Sequence, residues 1–385
     1  MSVIGVVLAL CFMTGARAQA PRELPQRALW VTRFDYRSAE DVRRAIDRCA
    51  DLGFDTVLFQ VRGNATVFYR SKLEPWAEQL GWKDPGFDPL QVAIDRAHER
   101  GLGLHAWVNV MPGWWGTKLP AHQEHLYYQR PEWFWYDQHG KRQPLCERFY
   151  VSLNPCLPAV RKYLVGIMTE IVGNYAVDGL HLDYLRFPNE SPAIPTGSGR
   201  DYPRDPGSVS LFTRASGGKP EEHPQAWDAW RSEQVTRLLR EIRVAVKRRA
   251  PELVLSAAVG ADPERALDHF QDVVGWLSEG LLDVVFPMNY TADEELFRKR
   301  LGVWRNLGGE THVVLGTMIA QGDVQLRKRQ LLQAASEIGA FAAFAYGGLF
   351  DSRDDTLEAQ NDAARADREQ RRALLTPVFQ RIANE

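Results

Sequence analysis

The sequence predicts an α/β protein built as a single (β/α)8 barrel (TIM barrel), and three observations carry that prediction. Eight short strand-like runs alternate with amphipathic helical segments along the 385 residues. Most of these runs are apolar throughout, which is typical of parallel strands covered on both faces. No glycine-rich phosphate-binding turn follows the first strand, which disfavours a doubly wound nucleotide-binding sheet.

The predicted elements follow one another in strand–helix order. Ser38 is a suitable N-cap for the first helix, and Gly101 is a suitable end for the second. The predicted strands are 28–34, 56–61, 103–110, 179–185, 253–259, 284–288, 313–318 and 341–346. The predicted helices are 39–52, 89–100, 158–175, 226–249, 263–277, 294–306, 323–339 and 356–375.

Two connections are unusually long, at 111–154 after the third strand and at 188–225 after the fourth. Loops beyond ~12–15 residues are usually functional, and in a barrel these two emerge on the face that carries active sites. The first loop is dense in aromatics, in a chain with 12 Trp, 12 Tyr and 17 Phe. Such rings either bind the C–H faces of sugars or form a satellite apolar cluster under the loop.

Composition and termini restrict the class of protein. The net charge of -2 gives no basic field that would indicate a nucleic-acid partner. An apolar run followed by Ala16-Arg17-Ala18 predicts a signal peptide at 1–18, a mature domain at 19–385, and a periplasmic or secreted location. The apolar run is too short to span a bilayer, so we expect no stable membrane insertion after cleavage.

The cysteines and histidines predict neither a metal site nor a cofactor. Of the 4 Cys, Cys49 lies on an apolar helix face, where it serves as a small buried hydrophobe. Cys146 and Cys156 flank a short loop and either pair in an oxidising compartment or remain thiols. No Cys-x-x-Cys motif and no cluster of His is present in the sequence.

Polar residues that close the strands are the candidate site residues, because these ends meet at one face of a barrel. Asp183 is the strongest candidate, since a carboxyl group within an apolar strand has a raised pKa that suits a general acid. The alternative is a structural ion pair with Arg186 or Arg62. His181 is either a core histidine or a substrate contact. The strand-end residues are Asp35, Arg62, Asn64, Asn109, Asp183, Tyr184, Arg186, Asp262, Asn289, Tyr290, Gln321 and Asp351.

Segments spread over residues 28–350 resemble glycosyl hydrolase-like family 10, a family of bacterial envelope proteins. The matching segments include ALWV at 28–31, TVLFQVR at 56–62, HAWVN at 105–109, PEW at 131–133, LNP at 153–155 and YAVDGLHLDYLRFP at 175–188. The resemblance implies a (β/α)8 glycosidase-like barrel. It also implies a substrate, the glycan strands of peptidoglycan, preferably denuded of peptide.

The chain departs from the family pattern at two positions near the predicted site. The family usually has two adjacent Asp at the end of the fourth strand, where this chain has Asp183 and Tyr184. The family usually has Gly where this chain has Cys156. Only Asp183 therefore carries over as a catalytic residue. The chain is less similar to amylase-type and chitinase-type barrels, because it lacks the Glu that each of those two patterns contains.

Glycoside hydrolysis normally needs two carboxyl groups. The sequence leaves the partner of Asp183 open among Asp35, Asp262, Asp351 and Glu190, with a substrate acetamido group as a further alternative. The alternatives for function are a glycan-binding barrel without catalysis and a glycosidase for another envelope polysaccharide or an exopolysaccharide. The predicted substrate contacts are Arg62, Trp107, Asn109, Trp114, Trp115, Tyr184, Arg186, Asn289 and Tyr290.

Overall fold

The computed structural model describes residues 24–187, 200–351, 353 and 361–384. The predicted signal peptide at 1–18 and the candidate Glu190 lie outside the described residues. No helix in the described ranges combines the length and apolar character needed to cross a bilayer.

The strands form a closed parallel barrel, which confirms the predicted fold. His312–Val313 and Leu315–Met318 are two segments of one barrel strand, so the nine segments of the sheet make eight barrel strands. Pairing of Met288 with Gly316 closes the ring. In chain order the strands are β1 (Arg27–Val31), β2 (Thr56–Arg62), β3 (Gly103–Asn109), β4 (Pro112–Gly116), β5 (Cys146–Ser152), β6 (Gly179–Asp183), β7 (Val254–Gly260), β8 (Val284–Met288), β9 (His312–Val313), β10 (Leu315–Met318) and β11 (Phe341–Phe344).

Helices follow the barrel strands and cover their outer faces. They are α1 (Ala39–Asp51), α2 (Pro89–Glu99), α3 (Leu126–Gln129), α4 (Pro158–Asn174), α5 (Pro206–Ser216), α6 (Pro224–Arg249), α7 (Pro263–Ala266), α8 (Val273–Ser278), α9 (Glu294–Leu307), α10 (Val324–Ile338) and α11 (Asp362–Asn384). Short 3-10 helices lie at Glu78–Leu80, Pro131–Trp133, Leu267–His269 and Tyr346–Gly348.

The single helix predicted over 263–277 is divided. It consists of α7, a 3-10 turn and α8, because Phe270 adopts a left-handed conformation with φ 54° that no helix can continue through. Asp272 then restarts the helix by accepting a hydrogen bond from the Gly275 backbone N–H at 3.0 Å.

The two long connections contain structure that sequence periodicity did not predict. The loop after β3 folds into an antiparallel hairpin of β4 and β5, which stands beside the mouth of the barrel. The loop after β6 contains α5, whose N-cap Asp205 also accepts a hydrogen bond from Asn154 Nδ2 at 2.8 Å. Cys156 is a buried free thiol, so no Cys146–Cys156 disulfide forms.

The interior of the barrel is filled by side chains around Trp30. Its indole N–H donates to His181 Nε2 at 3.2 Å, and His181 Nδ1 lies 3.0 Å from Ser256 Oγ. Burial holds the pKa of His181 well below its usual value, so the ring is neutral. Because Nε2 accepts the hydrogen bond from the indole N–H, Nδ1 carries the ring proton and donates a hydrogen bond to Ser256 Oγ. His181 is therefore a satisfied core histidine.

Candidate active site

A cleft of about 280 Å³ opens at the carboxyl ends of the barrel strands. Trp30 and Phe344 contribute aromatic surface to it, and the hairpin contributes Tyr150 on one side. The residues that line the cleft are Trp30, Thr32, Arg33, Phe34, Gln60, Trp107, Asn109, Tyr150, Asp183, Tyr184, Arg186, Ala258, Met288, Tyr290 and Phe344.

Asp183 is the carboxyl group of this cleft. It is the last residue of β6, is only 6% exposed, and is the only acidic side chain among the described lining residues. Burial raises the pKa of Asp183, and Arg186 and the Tyr184 backbone N–H oppose that rise without cancelling it. Arg186 Nη1 lies 3.4 Å from Asp183 Oδ1, and the Tyr184 N–H donates to the same oxygen at 2.6 Å. A carboxyl group with a raised pKa is suited to donate a proton.

Tyr184 occupies the position where the resemblance leads one to expect a second Asp. Its backbone is left-handed with φ 52°, which is unusual for a bulky residue, and its side chain lines the cleft. The Tyr184 ring lies edge-on to Tyr150 at 5.0 Å, and the Arg186 guanidinium lies over it at 4.5 Å. Tyr184 therefore joins the hairpin to the end of β6 through its ring contact with Tyr150.

Arg33 lines the cleft, although its sequence pattern did not predict this. The first strand was predicted to run to residue 34, but β1 ends at Val31, so Arg33 belongs to the loop at the barrel mouth. It is 3% exposed, and its Nη2 donates to the Tyr150 hydroxyl at 3.2 Å. The only available signal was a charged residue near the end of an otherwise apolar run.

The structure brings together six of the predicted site residues. Asn109 closes β3, and its Oδ1 is buried without a hydrogen-bond partner in the described parts of the chain. Tyr290 follows β8, and burial together with the charge of Asp183 raises the pKa of its phenol. The six residues in the cleft are Trp107, Asn109, Asp183, Tyr184, Arg186 and Tyr290.

Two predicted catalytic acids take structural roles outside the cleft lining. Asp35 accepts hydrogen bonds from the Thr32 backbone N–H at 2.7 Å and from its hydroxyl at 2.8 Å, which fixes the turn after β1. Asp262 is the N-cap of α7 and accepts from the Arg265 N–H at 3.3 Å. Both occupy strand ends, as predicted, but each carboxylate satisfies local backbone donors.

Arg62 also lies outside the cleft lining, because the register of β2 shifts between Gln60 and Arg62. Its side chain is fully buried and makes a two-point contact with Glu74, with Nε–Oε2 at 2.8 Å and Nη2–Oε1 at 2.6 Å. Its Nη1 donates to the carbonyl oxygens of Asn109 and Val110, the latter at 3.0 Å. Arg62 therefore holds in place the segment that leads from β3 into the hairpin.

The remaining predicted contacts divide between core and surface. Asn289 is buried, and its Nδ2 donates to the Phe297 carbonyl at 3.1 Å. Trp114 is buried, donates to the Lys118 carbonyl at 2.7 Å and stacks on Trp82. Trp115 is 44% exposed on the hairpin. None of the three lines the cleft, and Trp114 joins the main hydrophobic core together with Phe134 and Trp135 of the same loop.

The fold and the cleft define the class of glycoside hydrolase-like barrels. The model of the family Glycosyl hydrolase-like 10 matches residues 25–322, so the chain belongs to that family. The chain is 27% identical over 313 residues to "Glycosyl hydrolase DigH" of Escherichia coli O6:H1, covering 69% of this chain and 65% of that protein. It is 25% identical over 324 residues to "Glycosyl hydrolase YngK" of Bacillus subtilis, covering 75% and 58%.

The chain thus spans less than two thirds of the length of these curated relatives. Among solved structures, the glycoside hydrolase domain of PgaB (BpsB) from Bordetella bronchiseptica is similar, with a TM-score of 0.64. That similarity covers 92% of this chain and 99% of the other at 15% identity, and it shows the shared fold. In the described part of this chain, no group of three or more His, Cys, Asp or Glu is arranged to hold a metal.

Proposed function

We propose that the protein is a glycoside hydrolase that cleaves the glycan strands of bacterial peptidoglycan after the peptides have been removed. The observation that carries the proposal is Asp183, a buried carboxyl group with a raised pKa at the mouth of the barrel. Membership of a glycosyl hydrolase-like family and two relatives named glycosyl hydrolase support the reaction. The choice of substrate rests on the family resemblance of the strand-end motifs.

In the proposed mechanism, protonated Asp183 donates its proton to the glycosidic oxygen as the C–O bond breaks. Asp183 is the only carboxyl group among the described cleft residues, so the nucleophile we propose is the carbonyl oxygen of the substrate's own 2-acetamido group. That oxygen bonds to C1 and forms an oxazolinium ion. Water then opens the ion at C1 and gives its proton to the Asp183 carboxylate, which restores the acid.

Two lining residues support a substrate that carries an amide. Asn109 Oδ1 lacks an N–H donor in the described structure, and an acetamido group would supply one. The Tyr290 phenol lines the same cleft and is kept un-ionised by its raised pKa, so it can donate a hydrogen bond. Water attack on the same face that the leaving group occupied predicts retention of configuration at C1.

The test is hydrolysis of purified peptide-free strands by Asp183→Asn, with released fragments measured by mass spectrometry. We expect activity to fall by about 10²-fold or more, the usual size of a general-acid contribution. Asp262→Asn is the matched control, because it makes the same chemical change at a helix cap outside the cleft lining. Full activity in Asp183→Asn would remove Asp183 from the mechanism.

A second experiment tests the nucleophile. Strands whose acetamido groups have been hydrolysed to amines should bind and remain uncut. Glu190→Gln should retain activity, because the proposed mechanism needs no second protein carboxylate. Cleavage of the de-N-acetylated strands, or loss of activity in Glu190→Gln, would refute the acetamido nucleophile.

Tyr184, which replaces an Asp typical of the family, favours a second candidate: a barrel that binds glycan strands without cutting them. Binding of strands with no new reducing ends would support that candidate over hydrolysis.

We also propose that the chain is exported to the periplasm or secreted after cleavage behind Ala18, as the pattern of its first residues predicts. Sequencing of the N-terminus of protein recovered from the periplasmic or culture fraction tests this. A mature protein that begins at Gln19 is expected, and retention of Met1 in the cytoplasm would contradict it.

A further inference from the structure

We propose that Arg33, with Arg186 beside the catalytic acid, forms a subsite for a carboxylate carried by the sugar. This inference rests on the proposed function, since it assumes that the cleft binds a glycan strand. It adds the chemical feature by which the strand is recognised.

The first observation is that Arg33 is a buried cation without an acidic partner. It is 3% exposed, and no carboxylate oxygen lies within 4.0 Å of its guanidinium among the residues that the structure describes. Its Nε is buried without a hydrogen-bond partner, and its Nη2 donates only to a neutral phenol, that of Tyr150. An unpaired buried charge is costly to stability, so such a group is normally paired or functional.

The second observation is that Arg33 is held in place by neutral groups. Its guanidinium lies 4.5 Å from the Phe34 ring centroid and 6.0 Å from that of Tyr150. It also passes directly over Gly63, where a Cβ atom would come within 2.8 Å of the Arg33 side chain. A guanidinium that lines a cleft and is held in one position is suited to bind a carboxylate.

The third observation is the charge of the cleft. Its described lining residues include two cations, Arg33 and Arg186, and one acid, Asp183. Arg186 is already bound to Asp183, whereas Arg33 makes no such contact. When Asp183 is protonated for catalysis, both cations are uncompensated, so the active form of the cleft attracts an anionic ligand most strongly.

Peptide-free peptidoglycan strands carry such an anion. Every second sugar has a lactyl ether that ends in a carboxylate, and attachment of the peptide converts this group into an uncharged amide. A subsite that binds the carboxylate would therefore favour strands without peptide. Uronic acids in other polysaccharides present the same chemistry, and the experiment separates the two sources.

The experiment compares native peptide-free strands with strands whose lactyl carboxylates have been reduced to alcohols. We expect the wild type to prefer native strands by about tenfold or more in kcat/KM, the size of a charge-assisted hydrogen bond. In Arg33→Gln this ratio should fall to near one, and in Arg33→Lys, which keeps the charge, it should be intermediate. Arg43→Gln, which removes one charge from an exposed position of α1, is the matched control and should keep the wild-type ratio.

Equal rates of the wild type on native and reduced strands would overturn the subsite while leaving hydrolysis intact. An unchanged ratio in a folded Arg33→Gln variant would also overturn it. If the wild type cuts neither substrate, the proposed hydrolysis is refuted. The preference for native over reduced strands is then measured as a ratio of equilibrium binding affinities. Preference for a polymer of alternating uronic acid and N-acetylhexosamine over peptide-free strands would support the subsite and reassign the source of the carboxylate.

Discussion

Arg62→Met gives the sharpest test of the distinction between a substrate contact and a structural anchor. The substitution removes a guanidinium that is fully buried and leaves Glu74, whose side chain is 1% exposed, without its cation. Breaking a buried ion pair in this way costs about 3–5 kcal/mol. The carbonyl groups of Asn109 and Val110 lose a donor as well, so we expect a loss of unfolding free energy in the upper part of that range.

The assay is urea denaturation followed by tryptophan fluorescence, applied to Arg62→Met, Glu74→Met and the double variant. Because the two side chains form one unit, the double variant should lose less than the sum of the single losses, with a coupling energy of about 2 kcal/mol or more. At temperatures where Arg62→Met is folded, its KM for glycan strands should match the wild type. A loss below about 1 kcal/mol together with a raised KM would refute the structural role.

Three further predictions use the same measurements. Asp183→Asn should raise the free energy of unfolding at pH 7. Burial raises the pKa of Asp183 in the folded protein, so the wild type loses stability as the pH rises above the pKa of about 3.9 that Asp has in the unfolded chain. The gain should vanish at pH 3, and a loss at pH 7 would contradict this sign. His181→Gln should reduce the decline in Tm that occurs as the pH falls below about 6.5. The pKa of His181 is lowered in the folded protein, so its protonation opposes folding. An unchanged dependence of Tm on pH would contradict this prediction. Trp114→Ala should cost about 3–5 kcal/mol, whereas the half-exposed Trp115→Ala should cost under about 1 kcal/mol. Equal losses in thermal melts would refute that contrast.

The barrel, and the position of Asp183 at its mouth, were predictable because each depends on local pattern. Strands such as β11 are apolar on both faces, and Asp183 stands out as a carboxyl group at the end of a buried strand. The family assignment was confirmed by the family model, which matches residues 25–322.

The positions of the other site residues could not be predicted, because they depend on features that residue type does not encode. Arg62 leaves the cleft because of a register shift in β2, and Arg33 enters it because β1 ends three residues earlier than its apolar run suggests. Asp35 and Asp262 illustrate a second cause, because the carboxylates that catalyse also cap helices and close turns. The hairpin of β4 and β5 pairs segments far apart in the chain, which periodicity within a short window cannot detect.

The aromatic side chains that pack around Trp30 in the barrel interior restrict how a polymer can reach Asp183. Trp30 contacts His181, Phe286 and Phe344, and together these rings block the axis of the barrel. A glycan strand therefore has no path through the protein and must arrive and depart on the same face. The strand can present a chain end to the mouth or lie across it, and in either case it meets the Tyr150 side of the cleft, which the hairpin supplies.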